Sequence, residues 1–506
     1  MGKRVAVIGG GISGIAASNV LQRNGHTVTI FEKNDRIGGV WAVSYPEVRL
    51  QNTWHQYALS DFPWPFRPDL HPTAAQILRY MQDAIAAFEL DLRVSHEVAA
   101  MHETADGWEL DIRQVGGLDH QLFDYVVIAV GQYTEGKYFP DFPERSQFQG
   151  QVITERDVKD LSIFKGHRAL VVGFGKSALD MAVLAVDQGA NVQHVFRTPR
   201  WTLPPRILGL HYTYPMFARF GSVMMTSWAH PTGVERFLHK QLKFVVERFW
   251  RMLQAVFRLQ ILAEGYGKGP EVRQRLETVI PTHPLQLDFR SATALAPAAY
   301  YRYVAEGRIT PHHREVLGFD ERGLRLSGDQ SLAGDIVVLS LGSKTPTFPF
   351  VPPPYCELLE AEADGVQLYR HLLHPRIPNL GFAGFNHGFM HIPSVELGAI
   401  WLCAYLDGYL QLPPVEAMEA SIEQVRRWKR EHIHFEPSRG LAINTRYQQY
   451  NDILLKDLGL NPYRKGANFL AEFFARYGGK DYRNVLSEYQ KQASRQPRFE
   501  PLPLDT

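Results

Sequence analysis

The stretch Val5–Trp41, VAVIGGGISGIAASNVLQRNGHTVTIFEKNDRIGGVW, decides the fold of this chain. It opens with the apolar run Val5-Ala6-Val7-Ile8, long enough for one buried parallel strand. Gly9, Gly11 and Gly14 follow in G-x-G-x-x-G spacing. In such a turn the first glycine permits the tight bend, and the second lets the backbone approach a pyrophosphate. The third lets the next helix lie close on the strand. That helix is expected from Ile15 to Asn24, stopped by Gly25, with its N-terminal N–H groups facing the phosphates. A second strand, Thr27 to Phe31, ends in Glu32. A carboxylate there can accept hydrogen bonds from ribose hydroxyls and repels a 2′-phosphate, which suits FAD or NAD better than NADP. The paired glycines Gly38-Gly39 and then Trp41 close the stretch.

A second unit of the same kind begins at Ala169-Leu170-Val171-Val172. It continues Gly173-Phe174-Gly175-Lys176-Ser177-Ala178, the G-x-G-x-x-A variant, with a helix expected from Leu179 to Asp187. Its second strand, Val192 to Phe196, ends in Arg197 instead of an acid. A base at that place accommodates a 2′-phosphate, and the planar guanidinium matches phosphate oxygens. An acid-ended unit and a base-ended unit in one chain point to FAD in the first and NADPH in the second.

A chain of 506 residues exceeds one core, so two or three domains are expected. Hydrophobic residues at 45% and charged residues at 21% describe an ordinary globular protein. The formal net charge of +1 argues against bulk affinity for nucleic acid. Cys356 and Cys403, far apart and outside any C-x-x-C, argue for a reducing compartment and against both a disulfide scaffold and a dithiol redox site. The N-terminal run is too short for a signal h-region, and no stretch supplies the ~18 apolar residues of a spanning helix. A cytoplasmic protein is the expectation. No His/Cys/Asp/Glu cluster has metal-ligand spacing, so no metal is expected.

Between the units, a helix is expected from Ala74 to Phe88, with strands near Leu92–Val94 and Gly107–Ile112. Tyr125 to Ala129 and Val130 form an apolar strand ending at Gly131, and the linker Gln132–Gln149 carries Pro140 and Pro143. Asp335 to Gly342 repeats the pattern of an apolar strand followed by glycine. A third such run, Pro378 to Phe385 with Gly384, leads into a helix from Ser394 to Leu406. The segment from about 203 to 295 interrupts the second unit and contains the amphipathic run Phe244–Leu253. Three readings compete for it: a helical layer over the active site, a dimer face, and a basic helix lying on a membrane. From about Leu412 the chain reads as helical, with a polar tail after Lys491.

The fold class is therefore α/β, with two Rossmann-like dinucleotide-binding domains, a helical insertion and a helical C-terminal extension. The expected boundaries are 1–160 for the first part of the FAD-binding domain and 161–330 for the NADPH-binding domain with its insert. The second part of the FAD-binding domain spans 331–435, and the extension 436–506.

Taken together, these residues resemble the flavin-containing monooxygenases, on their plant-type branch. Gly38-Gly39-Val40-Trp41 matches a flavoprotein G-G-x-W loop, and Ser60 to Pro65 (SDFPWP) matches the family's SDFP loop. The runs ending at Gly131 and Gly342 are similar to the "ATG" strands of two-dinucleotide flavoproteins. GFGKSALD from Gly173 and VFRTPRW from Val195 match the NADPH unit. Asn461 to Lys465, Tyr477-Gly478 and Asp481 to Arg483 look like the plant-type extension. The resemblance implies FAD held by Gly9, Gly11, Gly14, Glu32, Gly38, Gly39, Trp41, Gly131 and Gly384. NADPH would be held by Gly173, Gly175, Ser177, Ala178 and Arg197. It further implies transfer of one oxygen atom of O2 to a soft nucleophilic small molecule, an amine or a sulfide, through a flavin C4a-hydroperoxide.

Two departures stand out. In the family's F-x-G-x-x-x-H fingerprint, Phe148 and Gly150 are present, but Thr154 replaces the histidine and Val158 the following aromatic. The family's active-site asparagine aligns with Gln51, beside Asn52, so this amide pair carries the expected catalytic role. His55, His387 and His391 are further candidates near the site. A Baeyer–Villiger ketone oxygenase, an uncoupled NADPH oxidase and a flavin-free binding protein like the GDP-dissociation inhibitors remain the alternatives.

Overall fold

In the computed structural model, which describes residues 2–225, 231–291, 293–433, 443, 445–495 and 500–501, the two fingerprint strands sit at the centres of two separate parallel sheets. The first sheet runs Leu380–Phe382, Tyr125–Ile128, Arg4–Ile8, Thr27–Phe31, Asp91–Arg93. The second runs Ile309–His313, Asn191–Phe196, Arg168–Val172, Ile336–Leu339, Gln151–Thr154. Val5 to Val7 and Ala169 to Val171 are fully buried, as expected where helices cover both faces of a parallel sheet.

The strand Gln151–Thr154 precedes position 160 in the chain yet forms the edge of the second sheet, paired with Ile336–Leu339. Likewise Ile336–Leu339 lies in the second sheet, although it falls after 331. Ile336–Leu339 is wholly apolar and Gln151–Thr154 only at its centre, and sequence periodicity carries no information about which sheet receives a strand. Two antiparallel sheets also form, and of their strands only Trp108–Gln114 corresponds to an expected one, that near Gly107–Ile112. Glu97–Glu103, Trp108–Gln114 and Gly117–Phe123 form one. Val316–Asp320, Gly323–Leu326 and Gln330–Ala333 form the other. Their outer strands are polar and largely exposed or half-buried, so alternation is weak.

The first helix spans Ile12–Arg23 and so begins three residues before the expected start, directly after its N-cap Gly11. Ser13 and Gly14 are poor helix formers by propensity, but burial against the sheet overrides that preference. The helix Ala74–Phe88 has the expected ends and is capped by a reciprocal box between Thr73 and Gln76. The helix His391–Leu406 is buried from Ile392 to Ala404 and packs on the first helix. Helix Tyr447–Asp457 of the extension packs behind it, and Arg370 clamps Asp457 with two buried bonds of 2.8 and 3.1 Å.

The insert contains one long helix, Lys243–Ala263, which buries Val246, Trp250, Phe257 and Ile261. Its inner face meets the body of the protein: the Trp250 indole donates to Met224 O, and Phe257 packs on Phe289. Arg219 joins insert to extension through Asp452 and Glu472, all three buried. Removing one member of such a cluster leaves an unbalanced buried charge and costs about 3–5 kcal/mol. Other helices of the extension are Phe469–Phe474 and Val485–Ala493, while 496–499 and 502–506, most of the polar tail, lie outside the described residues.

Candidate functional site

A cleft of about 1050 Å³ runs between the C-terminal ends of the two parallel sheets. This is where an open α/β sheet offers helix N-termini and loop amides to a ligand. Gly9, Gly11, Glu32, Gly38, Gly39, Trp41, Gly131 and Gly384 line one part of it. Gly173, Gly175, Ser177 and Arg197 line another, and Gln51 and Asn52 lie on the same wall.

Two expected contacts lie off that wall. Gly14 sits inside the first helix, where an added Cβ would come within 2.0 Å of the Gly9 carbonyl oxygen. Its work is helix-to-turn packing, not ligand contact. Ala178 is fully buried in the same position of the second helix. Sequence spacing groups these residues with the turn glycines; only the structure separates the two tasks. His55 also lies away from the cleft, stacked on Trp54.

The acid end of the first unit is built as an acceptor. Glu32 is buried; one carboxylate oxygen accepts from Gly10 N–H at 2.8 Å and the other from Asn34 N–H at 2.9 Å. Arg197, at the matching place in the second unit, is exposed on the cleft with Thr198 and Arg200 nearby. The cleft therefore presents a fixed negative end and a positive end. Two adenosine moieties, one with free ribose hydroxyls and one with a 2′-phosphate, match that pair.

Buried polar atoms without protein partners support the same fit. Gln132 is buried and neither of its amide atoms has a partner; Ser340 Oγ is likewise unpartnered. Both line the cleft. Unpaired buried groups of this kind are costly in isolation, so a polar ligand is the natural complement. Sequence reasoning missed both residues. The available signal was position: each follows a strand end, Gln132 directly after Gly131 and Ser340 directly after Leu339.

The amide pair is oriented by its surroundings. Gln51 Oε1 accepts from Leu295 N–H at 2.8 Å, which leaves its NH2 group to donate. Asn52 Nδ2 donates to Phe389 O at 2.5 Å, which leaves its oxygen to accept. The loop itself is held by the Tyr212 hydroxyl, which donates to Gln51 O, and by His71 Nδ1 between Leu50 O and Asn52 O. Leu295 lies at the end of the insert, where Ala294–Leu295 pairs with Thr202–Leu203. The insert thus reaches the site through its two ends.

His387 and His391 do line the cleft, 5.1 Å apart between ring centres. His391 Nε2 is hydrogen-bonded to Ser13 Oγ at 2.9 Å, and its Nδ1 has no partner. Burial lowers His387 to about 4; burial and then the His387 charge lower His391 to about 3. Both rings are neutral at neutral pH. Among the described residues, no group of three His, Cys, Asp or Glu side chains is placed to hold a metal ion.

The chain matches the Flavin-binding monooxygenase-like family over residues 2–250. It is 29% identical to the probable flavin-containing monooxygenase 1 of Arabidopsis thaliana, with 95% of this chain and 96% of the relative covered. Among solved structures, an oxidised steroid monooxygenase bound to NADP superposes with a TM-score of 0.65 at 19% identity, covering 91% of this chain and 99% of that one. The S-allyl-L-cysteine S-oxygenase of Allium sativum superposes with a TM-score of 0.62 at 16% identity, covering 98% and 94%. At these identities the two structures speak for the fold alone.

Proposed function

We propose that the chain is a member of the flavin-containing monooxygenases, which its family match and relatives support, and that this FAD- and NADPH-dependent enzyme oxygenates a soft nucleophile, an amine nitrogen or a sulfide sulfur. FAD, when bound, supplies oxygen activation, and NADPH supplies the hydride that reduces it. The protein's contribution is binding, orientation and dryness. The N-termini of helices Ile12–Arg23 and Lys176–Asp187 face the two glycine turns and suit pyrophosphate groups. Glu32 would accept from ribose hydroxyls, and Arg197 would pair with a 2′-phosphate. Gln51 would donate from its free NH2 group toward the reacting centre, with Asn52 as the neighbouring acceptor. Trp41, Tyr45, Tyr57 and Phe389 line the cleft and limit water. The neutral state of His387 and His391 keeps positive charge from being added there.

The observation that carries this reading is the single cleft in which an acid-ended unit, a base-ended unit and a pinned amide pair converge. A soft nucleophile needs no deprotonation to react, which agrees with a site whose polar groups are placed as donors and acceptors rather than as a triad. The deciding experiment incubates FAD-loaded protein with NADPH, 18O2 and separate panels of tertiary amines, sulfides and cyclic ketones. Gain of one 18O atom by amines or sulfides is expected. Lactones from the ketones, with amines and sulfides untouched, would transfer the protein to the Baeyer–Villiger class.

Within the same experiment, Q51L tests the amide. Loss of one oriented donor of this type costs roughly 100- to 1000-fold in product formation. Product per NADPH should fall and hydrogen peroxide should rise in step, with FAD content unchanged. No described helix is long and apolar enough to cross a membrane. For the outer side of the insert, exposed Phe237 and Phe244 leave two proposals, a peripheral membrane contact and a homodimer face. Vesicle co-sedimentation and sedimentation equilibrium without lipid separate them.

A further inference from the structure

The chain crosses between the two sheets twice, outward after Ile128 and back after Leu339, and the crossings are tied together. Lys137 and Ser343 form an antiparallel bridge. Tyr138 N–H donates to Gly342 O at 3.0 Å, and Lys344 N–H donates to Gly136 O at 2.9 Å. The Lys137 ammonium also reaches Ser343 Oγ at 3.3 Å.

This ribbon is anchored to the edge strand of the second sheet. Lys137 pairs with Glu155, the residue that follows Gln151–Thr154, and the carboxylate is only 2% exposed. Arg156, next in sequence, donates to the carbonyls of Tyr133 and Thr134 on the outward crossing. A third tie crosses the cleft itself: the Tyr45 hydroxyl of the first unit donates to Asp180 on the second unit's helix at 2.6 Å. Burial, then the neighbouring charges of Asp180 and Glu155, push that hydroxyl well above its usual range and keep it a donor.

Thr154 takes no part in these ties. Its N–H and hydroxyl both go to Asp157, three residues on, each at 2.8 Å. Work on the linker is done by its neighbours.

We propose that Lys137 and Glu155 are positioning residues: their ion pair, with its carboxylate buried, locks the two crossings into one ribbon and so fixes the spacing of the two nucleotide sites across the cleft. One oxygen of Glu155 is buried without a protein partner, and Glu155 and Lys137 both line that cleft, so the lock lies on the wall a bound dinucleotide would cover. A buried ion pair stripped of one partner leaves the other uncompensated. The lock is thus sensitive to single changes and restorable by reversal.

The inference rests on the two-cofactor reading but not on the substrate, so its test uses none. Hydrogen exchange is measured on the whole protein without NADPH, in peptides containing Tyr138 and Lys344. Flavin reduction by NADPH is measured anaerobically on FAD-loaded protein, over a range of NADPH concentrations. In E155Q, both amides should exchange roughly tenfold faster, and the limiting reduction rate should fall by a similar factor. K137M should behave alike and serves if E155Q fails to fold. The reversal K137E/E155K should recover protection and rate together. Exchange and reduction within twofold of the parent in both single variants would overturn the proposal. Failure of the reversal to recover either readout would overturn it too. A substrate reading that fails leaves both readouts intact.

Discussion

The two nucleotide units have almost the same backbone and opposite chemistry at one residue. Gly9 and Gly173 have φ of 122° and 120°. The N-caps Gly11 and Gly175 share φ −82°, with ψ of 176° and 177°. Each central strand is flanked on one side by its unit's second strand and on the other by the strand that leads out of the unit. Yet one unit ends in a buried carboxylate held by two backbone N–H groups, and the other in an exposed guanidinium. A pyrophosphate is common to all dinucleotides, so the turn that receives it is generic. The ribose substituent differs by a doubly charged group, and one side chain at the strand end suffices to tell the two apart.

The units also differ in what covers them. The first helix is buried from Ile12 to Leu21 beneath helix His391–Leu406, with glycine at its third fingerprint position. The second carries Ala178 there, with room for the methyl: a Cβ on Gly173 would stand 3.6 Å from it. Three experiments break or sharpen this contrast.

The largest effect belongs to G14A. Its methyl group would enter the Gly9 carbonyl at 2.0 Å, so turn and helix must separate. The protein should purify without bound flavin, as flavin absorbance will show. The mirror change A178G should cost only about 1 kcal/mol of helix stability and leave FAD content intact. Next comes R197E. Replacing a phosphate partner by a carboxylate should raise KM for NADPH by roughly 100-fold, the equivalent of about 3 kcal/mol, while NADH is affected far less. Steady-state kinetics with both nucleotides give the ratio, and equal losses for the two would remove Arg197 from phosphate recognition.

The smallest effect concerns the layer above the first unit. Glu396 is buried and accepts from Ser60 N–H at 3.0 and 3.1 Å and from the Ser60 hydroxyl at 2.5 Å. Burial outweighs these bonds and raises its carboxyl from 4.5 to about 7. A folded-state value above the unfolded one stabilises the protein below the unfolded value and loses that contribution as pH climbs through the folded value. Between those two values the parent should therefore lose stability relative to E396Q by at most about 1.4 kcal/mol per pH unit. Urea midpoints of the two proteins across that window measure it; parallel curves would mean Glu396 stays ionised.

Much of this was legible in the chain. Hydrophobic runs placed the central strands, glycine spacing placed the turns, and Glu32 and Arg197 declared the two ligand ends. Helix Ala74–Phe88 was readable to the residue from its helical periodicity, and the structure adds a capping box at its start. The outer antiparallel strands were not, since Gly117–Phe123 is largely exposed and alternates only weakly. The strand Gln151–Thr154 was not anticipated, and its place at the edge of the second sheet is chosen by the tertiary fold. Gln132, Ser340 and Glu155 carry no motif, and they became visible only once burial showed unpartnered polar atoms on residues that line the cleft.

The sequence by itself determined the α/β class, the two dinucleotide turns and the charge at each end, because these are local: a strand, a turn without Cβ atoms and one side chain within a few residues. The tertiary structure decided which way Gln51 and Asn52 turn, which histidines reach the cleft and how the two crossings are locked. Those depend on partners more than 150 residues away in the chain, Leu295 for Gln51, Phe389 for Asn52 and Ser343 for Lys137. No local rule specifies such contacts; only packing of the whole chain brings them within hydrogen-bond reach.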